Sequence, residues 1–386
     1  MTESFVLTQK QELGQMMYDL AFNTPDDTTF SDHIRRTLFS IMMKTVYGRR
    51  IERKDDQDVK YTEESAKLLG KLTRGAFIED IFPPLARLPE WLQPSIRQAR
   101  KHAEFVLWVK MRMWITLKEQ LSGEAAPPCY AAEMIKTDYK EHGLADEDLA
   151  WIAGGLVEAG SQTSTVTMNN LILYLAGTPE AQARIREEIQ TTVGAARTPE
   201  MSDIPKLPYT FACVKEILRL CPVPPWTLRH FTDADVTYKD IVIPKGTAVV
   251  CNTMALHFDA ERYPDPYAFK PERYIEYQRS ALEYAAMPNP YDRDHFSFGA
   301  GRRMCPGARF AENNLAYALA NLLWGFEIRP PMVMAGGRLR EGAVDLSDDA
   351  FESYPLRSAK PFKARFIPRS EDHVRIIRQK WEANSK

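Results

Sequence analysis

Apolar positions recur along this chain at helical rather than strand spacing. Leu13, Met16, Met17 and Leu20 share one helical face, and Pro25 ends that segment. Ile34, Leu38, Ile41, Met42 and Val46 repeat likewise up to Gly48, a natural C-terminal stop. A proline-punctuated connector runs from Phe82-Pro83-Pro84 to Pro94, and a charged helix follows from Pro94 to Leu121. The longest helical stretch is Asp146 to Ala176. It opens on acidic residues, which suit a helix N-terminus, and stops at Gly177-Thr178-Pro179. Its middle, Trp151 to Thr167, carries one charge, Glu158, so the pattern predicts a buried helix. Gly154, Gly155 and Gly160 weaken such a helix by about 1 kcal/mol each relative to Ala, and they permit close approach by something large.

Further on, Pro179 to Val193 and Tyr209 to Leu220 read as helices. Period-two runs then appear at Val236 to Tyr238, Ile241 to Ile243 and Thr247 to Cys251, with a Pro244-Lys245-Gly246 turn. An irregular, proline-rich stretch occupies Phe258 to Pro290, and so long a run without regular structure points to a functional role. A last long helix follows Pro306, with Leu315, Leu319, Leu322, Leu323 and Phe326 as its buried stripe, and short strands close the chain near Pro361 to Pro368. The expected class is mainly α with small β-sheets, one domain over residues 1–386.

The composition excludes several functions. A net charge of −2 over 386 residues leaves no basic excess for nucleic acid. No apolar run is long enough for a transmembrane helix, and the polar N-terminus lacks a signal-peptide core; as written the chain reads as soluble. Five cysteines (Cys129, Cys213, Cys221, Cys251 and Cys305) form neither a disulfide framework nor a CxxC pair. Four of them read as buried small hydrophobes.

Cys305 is different. It ends the segment Phe298-Gly299-Ala300-Gly301-Arg302-Arg303-Met304-Cys305-Pro306-Gly307, whose three glycines make a tight loop able to approach a flat ligand closely. The residues after Pro306 place Cys305 at the start of a helix, where unpaired N–H groups and the helix dipole favour thiolate over thiol. Arg303 can pair with a ligand carboxylate. Nothing nearby supplies a second metal ligand, and one thiolate suffices only where a porphyrin contributes four nitrogens.

This segment resembles the haem-binding loop of the cytochrome P450 superfamily, with Phe298, Gly301, Arg303, Cys305 and Gly307 at the family's positions. Five such matches arise by chance in on the order of one in ten thousand chains. Two further segments are similar. Glu216 and Arg219, with Arg273 of Pro271-Glu272-Arg273-Tyr274, match the family's buried ionic set, which implies a structural lock on the proline-rich stretch. Pro222 to His230 resembles the strand passing the haem edge, where His230, or else Arg229, would contact a propionate. The long helix resembles the family's central helix at Ala159-Gly160-Ser161-Gln162-Thr163-Ser164. There Gly160 would leave room for dioxygen, and Thr163 would help deliver protons. Gln162 stands where the family has an acid, and an amide cannot relay a proton as a carboxyl does; Glu158, one turn earlier, can partly substitute.

The resemblance implies a haem-thiolate monooxygenase, an oxidoreductase acting on paired donors with incorporation of molecular oxygen. Its cofactor would be haem (heme b) with Cys305 as axial ligand, and its partners O2, an NADPH-cytochrome P450 reductase and a small organic substrate. Substrate would be selected by Ala153 to Ser164, Val223 to Leu228 and Phe351 to Leu356. His33-Ile34-Arg35-Arg36, Phe82-Pro83-Pro84 and the ending Lys360-Pro361-Phe362-Lys363…Pro368-Arg369-Ser370 look like fungal members that tailor secondary metabolites. The family's location is the cytoplasmic face of the endoplasmic reticulum membrane, and a monomer is expected. The family's membrane anchor, first sheet strands and an early Trp/Arg helix find no counterparts, so the expectation is a P450 fold incomplete at its N-terminus. Alternatives are oxidative coupling or rearrangement without oxygen insertion, and a haem-poor inactive fragment serving as an interaction module.

Overall fold

The computed structural model describes residues 3–24, 26–73, 78–123, 127–352 and 356–384. In chain order the first helices are α1 (Glu3–Phe22), α2 (Phe30–Tyr47), α3 (Gln57–Thr73), α4 (Ile78–Ile81), α5 (Pro94–Ser122), α6 (Tyr130–Ile135), α7 (Asp146–Ala176), α8 (Pro179–Thr192) and α9 (Pro208–Leu220). Then come β1 (His230–Phe231), β2 (Val236–Tyr238), β3 (Ile241–Ile243), β4 (Ala248–Val249), α10 (Thr253–His257), α11 (Ala281–Ala285) and α12 (Ala308–Gly325). The chain finishes with β5 (Phe326–Arg329), β6 (Met332–Ala335), β7 (Arg338–Glu341), β8 (Phe351–Glu352), β9 (Ser358–Ala359), β10 (Arg365–Pro368) and α13 (Glu371–Asn384). The class is mainly α with small two-stranded sheets, as expected. Pro25 lies outside the described residues; α1 ends at Phe22.

Chain contacts separate two compact units. The first holds residues 1–165, 325–327 and 363–386; the second holds 166–324 and 328–362. In the first, the stripes read from the sequence are buried: Leu13, Met16, Met17 and Leu20 on α1, and Ile34, Leu38, Ile41 and Val46 on α2. Gly48 stops α2 as expected. It adopts a left-handed φ of 70°, and its N–H donates to the Lys44 carbonyl at 3.0 Å. Burial of Trp114, Met113 and Leu117 on α5 against Phe39, Met43 and Tyr47 on α2 makes a second apolar layer. Arg36 is buried with Glu12 of α1, and Arg50 donates to the other Glu12 oxygen at 2.7 Å. The terminal helix α13, absent from the sequence expectation, packs on α1 through Trp381, whose ring centroid lies 5.7 Å from that of Tyr18.

In the second unit, α12 buries Leu315, Leu319, Leu322 and Leu323, and α9 is buried from Tyr209 to Leu220. The paired segments are short and antiparallel. His230 pairs with Val249, Val236 with Ile243, and Met332 with Glu341. The β6–β7 hairpin turns on Gly336 and Gly337, both at positive φ, a pair the sequence pattern left unassigned. The proline-rich stretch is mostly turns, with α11 as its one α-helix among the described residues. No helix of the described residues is long and apolar enough to cross a membrane.

Candidate functional site

The cysteine loop folds for local reasons. Gly299 and Gly301 sit at φ of 76° and 67°, a left-handed conformation that costs a side-chain-bearing residue about 1–2 kcal/mol. An added Cβ at either glycine would meet no atom within 4 Å, so the loop's outer face is open. The turn brings the Cys305 N–H to the Phe298 carbonyl at 2.9 Å, closing the loop just before the sulfur. Arg302, Arg303 and Cys305 are exposed, and Phe298 is half-buried. Gly307 lies beside the sulfur: a Cβ there would come within 3.7 Å of Cys305 Sγ.

Two expectations change here. The helix does not begin at Cys305; α12 starts at Ala308, and its first helical bond runs from the Ala311 N–H to the Gly307 carbonyl at 2.8 Å. Cys305, Pro306 and Gly307 form a turn leading into it. The thiol is not shifted toward thiolate. Burial pushes its pKa up, and a hydrogen bond from the Gly307 backbone N–H pulls the other way without prevailing. Coordination to a metal removes that proton instead. Among the other cysteines, Cys129, Cys213 and Cys221 are buried as expected, whereas Cys251 is exposed.

Behind the loop lies a sealed network. Arg219 holds Glu216 in a bidentate pair, both contacts at 2.9 Å. Its remaining donors reach the carbonyls of His257 and Pro266, each at 2.8 Å. Glu216 also accepts from Arg273 Nε at 3.2 Å and from the Lys270 N–H at 2.9 Å. Arg273 in turn donates to the carbonyls of Pro264 and Asp265. The expected lock therefore exists, and it explains how the turn-rich stretch after Phe258 stays ordered.

The sequence reading missed the residues that tie this lock to the cysteine loop. His257 Nε2 accepts from the Phe296 N–H at 2.8 Å, which makes Nδ1 the donor to the Arg219 carbonyl at 2.9 Å. Burial lowers its pKa well below the ordinary value, so the ring stays neutral. Lys215, with no exposed side chain, pairs with Asp294 and with Glu312 of α12 at 3.1 Å. Burial and Lys215 act oppositely on Glu312, with burial raising its pKa; against the same penalty Asp294 is lowered by Lys215 and by the His295 backbone N–H, which donates to it at 2.7 Å. Arg293 donates to the Gly299 carbonyl at 2.8 Å, steadying the glycine turn. The one sequence signal for this hub is the charged run Asp292 to Asp294 directly before Phe298; Lys215 and Glu312 carry none.

His230 and Arg229 are both exposed, His230 at the start of β1. Of the segments expected to select substrate, Trp226 and Leu228 are exposed, and residues 353–355 lie outside the described residues.

In the first unit, the middle of α7 is not buried all round. Trp151, Ile152 and Ala159 are exposed, while Gly155, Leu156, Gln162 and Thr163 are half-buried, giving an open stripe. Thr163 donates its hydroxyl to the Ala159 carbonyl at 2.8 Å, and Gln162 Nε2 donates to the Thr62 carbonyl of α3 at 3.4 Å. At Gly160 an added Cβ would lie 2.6 Å from Met42 Cε of α2. Gly160 is thus the contact point of two helices, and the exposed small residue on the stripe is Ala159.

A mainly helical chain with a glycine-turned cysteine loop backed by a Glu/Arg lock defines a class. The Cytochrome P450 family profile matches residues 2–338, and the chain belongs to that family. It is 42% identical over 389 residues to cytochrome P450 monooxygenase pgmC of Aspergillus terreus, spanning 100% of this chain and 69% of that protein. It is 34% identical over 384 residues to cytochrome P450 monooxygenase verL of Clonostachys rogersoniana, covering 98% and 69%. With cytochrome P450 monooxygenase virE of Hypocrea virens the identity is 32% over 383 residues, covering 99% and 68%. The chain is an oxidoreductase, a cytochrome P450 monooxygenase of the fungal secondary-metabolite type, and haem is the cofactor its family implies.

Proposed function

We propose that the chain inserts one atom of O2 into a small organic intermediate of a fungal secondary-metabolite pathway, with electrons from NADPH-cytochrome P450 reductase. One observation carries the reading: two left-handed glycines present the exposed Cys305 on an open face, closed behind by the bond between its N–H and the Phe298 carbonyl. The residues fit a haem (heme b). The open face beside Gly299 and Gly301 admits a flat group, Gly307 keeps the sulfur clear, and exposed Arg303 and His230 suit propionate carboxylates. Residues 1–386 would act as a single, monomeric P450 domain on the cytoplasmic face of the endoplasmic reticulum membrane, a location that rests on the family.

Bound at Cys305, the haem would supply the activation of dioxygen, favoured by thiolate ligation. The chain does the rest. The Gly307 N–H holds the sulfur in place, and Phe298 and Gly301 would hold the loop beside the macrocycle. On α7, Thr163 holds a proton at its hydroxyl, and Gln162 braces the helix against α3. Ile152, Leu156 and Ala159 offer the substrate an apolar stripe that narrows to small residues beside Thr163.

Purified chain loaded with haem should give, when reduced under carbon monoxide, the red-shifted Soret band of thiolate ligation. Cys305→Ala should lose it completely. Labelled dioxygen should place one labelled oxygen in the product. A haem-loaded wild type without the shifted band would sink the Cys305 assignment, and unlabelled product would sink oxygen insertion.

A further inference from the structure

Glu312 lies 18 positions after Asp294 in the chain (312 − 294), and Cys305 stands between them. Asp294 is on the arm that enters the cysteine loop, and Glu312 is on α12, the arm that leaves it. The ammonium of Lys215 bonds both, Asp294 through Oδ2 and Glu312 through Oε1, the latter at 3.1 Å. None of the three side chains is more than 1% exposed. Two rings flank the ammonium, with the Phe211 centroid at 5.0 Å and the Tyr284 centroid at 5.3 Å. Each carboxylate is held by a second bond. Asp294 Oδ1 accepts from the His295 N–H at 2.7 Å, and Glu312 Oε2 accepts at 2.9 Å from the N–H of Ala281, the first residue of α11. The Asp294 carbonyl accepts from the hydroxyls of Tyr263 and Tyr274 at 2.9 and 3.2 Å.

Such a hub is costly to build. Two carboxylates and one ammonium lose their water together, and an apolar cluster of the same volume would be at least as stable. What an apolar cluster lacks is direction, because burial of apolar surface is non-directional. An ammonium carries three N–H donors on one nitrogen, so it can hold an oxygen from each arm at hydrogen-bond distance. The loop between the arms needs such a fixture. Gly299, Gly301 and Gly307 leave its backbone more conformational freedom than other residues would. The Phe296 N–H bonds His257 of α10, and Ser297 Oγ bonds the Leu218 carbonyl of α9, but those bonds hold the entering arm alone. Lys215 bridges from that arm to α12.

We propose that Lys215 is a positioning residue for Cys305: by bonding Asp294 and Glu312 it sets the separation of the two arms and keeps the sulfur where it can bind the haem iron. The inference rests on the Cys305 ligation proposed above. Lys215 touches no reacting atom and acts only through the two arms. Its task differs from that of the Glu216, Arg219 and Arg273 lock, whose bonds run to residues between His257 and Arg273 and order the stretch ahead of the loop. Without the ammonium the arms part and the sulfur leaves the iron while the helices stay folded.

The test compares the haem-loaded chain with three variants. Lys215→Met leaves two buried carboxylates without their cation. Lys215→Met combined with Asp294→Asn and Glu312→Gln leaves no bare charge yet lacks the ammonium, so it covers the case in which the single variant does not fold. Leu117→Ala, in the core of the first unit, supplies a loss of stability outside the hub. Along a urea titration of wild type and of Leu117→Ala, the red-shifted Soret band of the reduced carbon monoxide complex should disappear together with the helical circular dichroism. In the two Lys215 variants the shifted band should give way to an unshifted one first, while the helices persist. A charge-assisted hydrogen bond is worth at least about a factor of ten, so deuterium uptake by residues 298–307 of the resting protein should quicken by about tenfold or more in both. Simultaneous loss of band and helix in the triple variant overturns the proposal, and so does deuterium uptake at the wild-type rate, since either marks Lys215 as serving stability alone. A wild type without the shifted band fails the Cys305 ligation instead, before any variant is compared.

Discussion

Around α9, charge is sealed away. Glu216, Arg219 and Lys215 expose none of their side chains, and each is held by several partners. In the middle of α7 the Lys110–Glu158 pair keeps a sliver of exposure and sits beside an open stripe. The first arrangement suits a scaffold. Its ions cannot exchange protons with water, so their positions stay constant and the cysteine loop inherits that constancy through His257 and Arg293. The second leaves a paired carboxylate within reach of solvent. Buried charge is costly in both regions; what differs is whether water can reach it.

The largest way to break the contrast is Arg219→Met. It leaves Glu216 buried without its bidentate partner, and losing one member of such a set costs about 3–5 kcal/mol. Against a total stability of about 5–15 kcal/mol, soluble yield and the urea midpoint should fall sharply. Glu158→Gln, at the more open site, should lower the midpoint far less. If the two substitutions destabilise equally, the distinction between the regions is lost.

Acid should act on the sealed region next. Burial lowers the pKa of His257 well below its ordinary value and that of His295 to about 4. Both rings are neutral in the native state, whereas they take up protons in the unfolded chain below about pH 6.5. The unfolded state therefore binds more protons, so stability is complete above that pH and declines as pH falls toward the native pKa values. Each histidine contributes at most about 1.4 kcal/mol per pH unit in that window. Urea midpoints at pH 7 and pH 5 should show the decline, and His295→Asn should remove its own share. A midpoint that rises on acidification would contradict the neutral assignment.

Two neighbouring glycines offer the smallest and sharpest comparison. Gly154→Ala drives a methyl into Lys110 and should cost about 1–3 kcal/mol, as overpacking does. At Gly155 an added Cβ meets nothing within 4 Å, so Gly155→Ala should stabilise α7 by up to about 1 kcal/mol. Melting temperatures of the two holoenzymes measure both. Equal shifts would mean that Lys110 does not occupy the space beside Gly154.

Much of the local structure was legible in advance. The bounds of α7, β2 and β3 follow from apolar period and turn residues, and the structure places them where the pattern does. The Glu216, Arg219 and Arg273 set was legible through resemblance alone, since Glu and Arg three apart on a helix are unremarkable. A glycine in a sequence announces space without saying what lies beside it; at Gly160 the neighbour is Met42, 118 positions earlier in the chain (160 − 42). The thiol shift at Cys305 was misread for a related reason. Helix position is local and argues for thiolate, while desolvation depends on everything packed around the sulfur. Lys215, Asp294 and Glu312 were missed because each is an ordinary charged residue until folding removes water from all three.

Sequence alone determined what depends on neighbours along the chain: helix period, the left-handed turns that only glycine adopts cheaply, and a cysteine set immediately after them. Tertiary structure decided which charges lose their water, which glycines are filled from outside, and which face of α7 stays open. The division is physical. Backbone conformation and periodicity are set within a few residues, whereas desolvation and ion pairing are set by groups that meet only when distant segments pack.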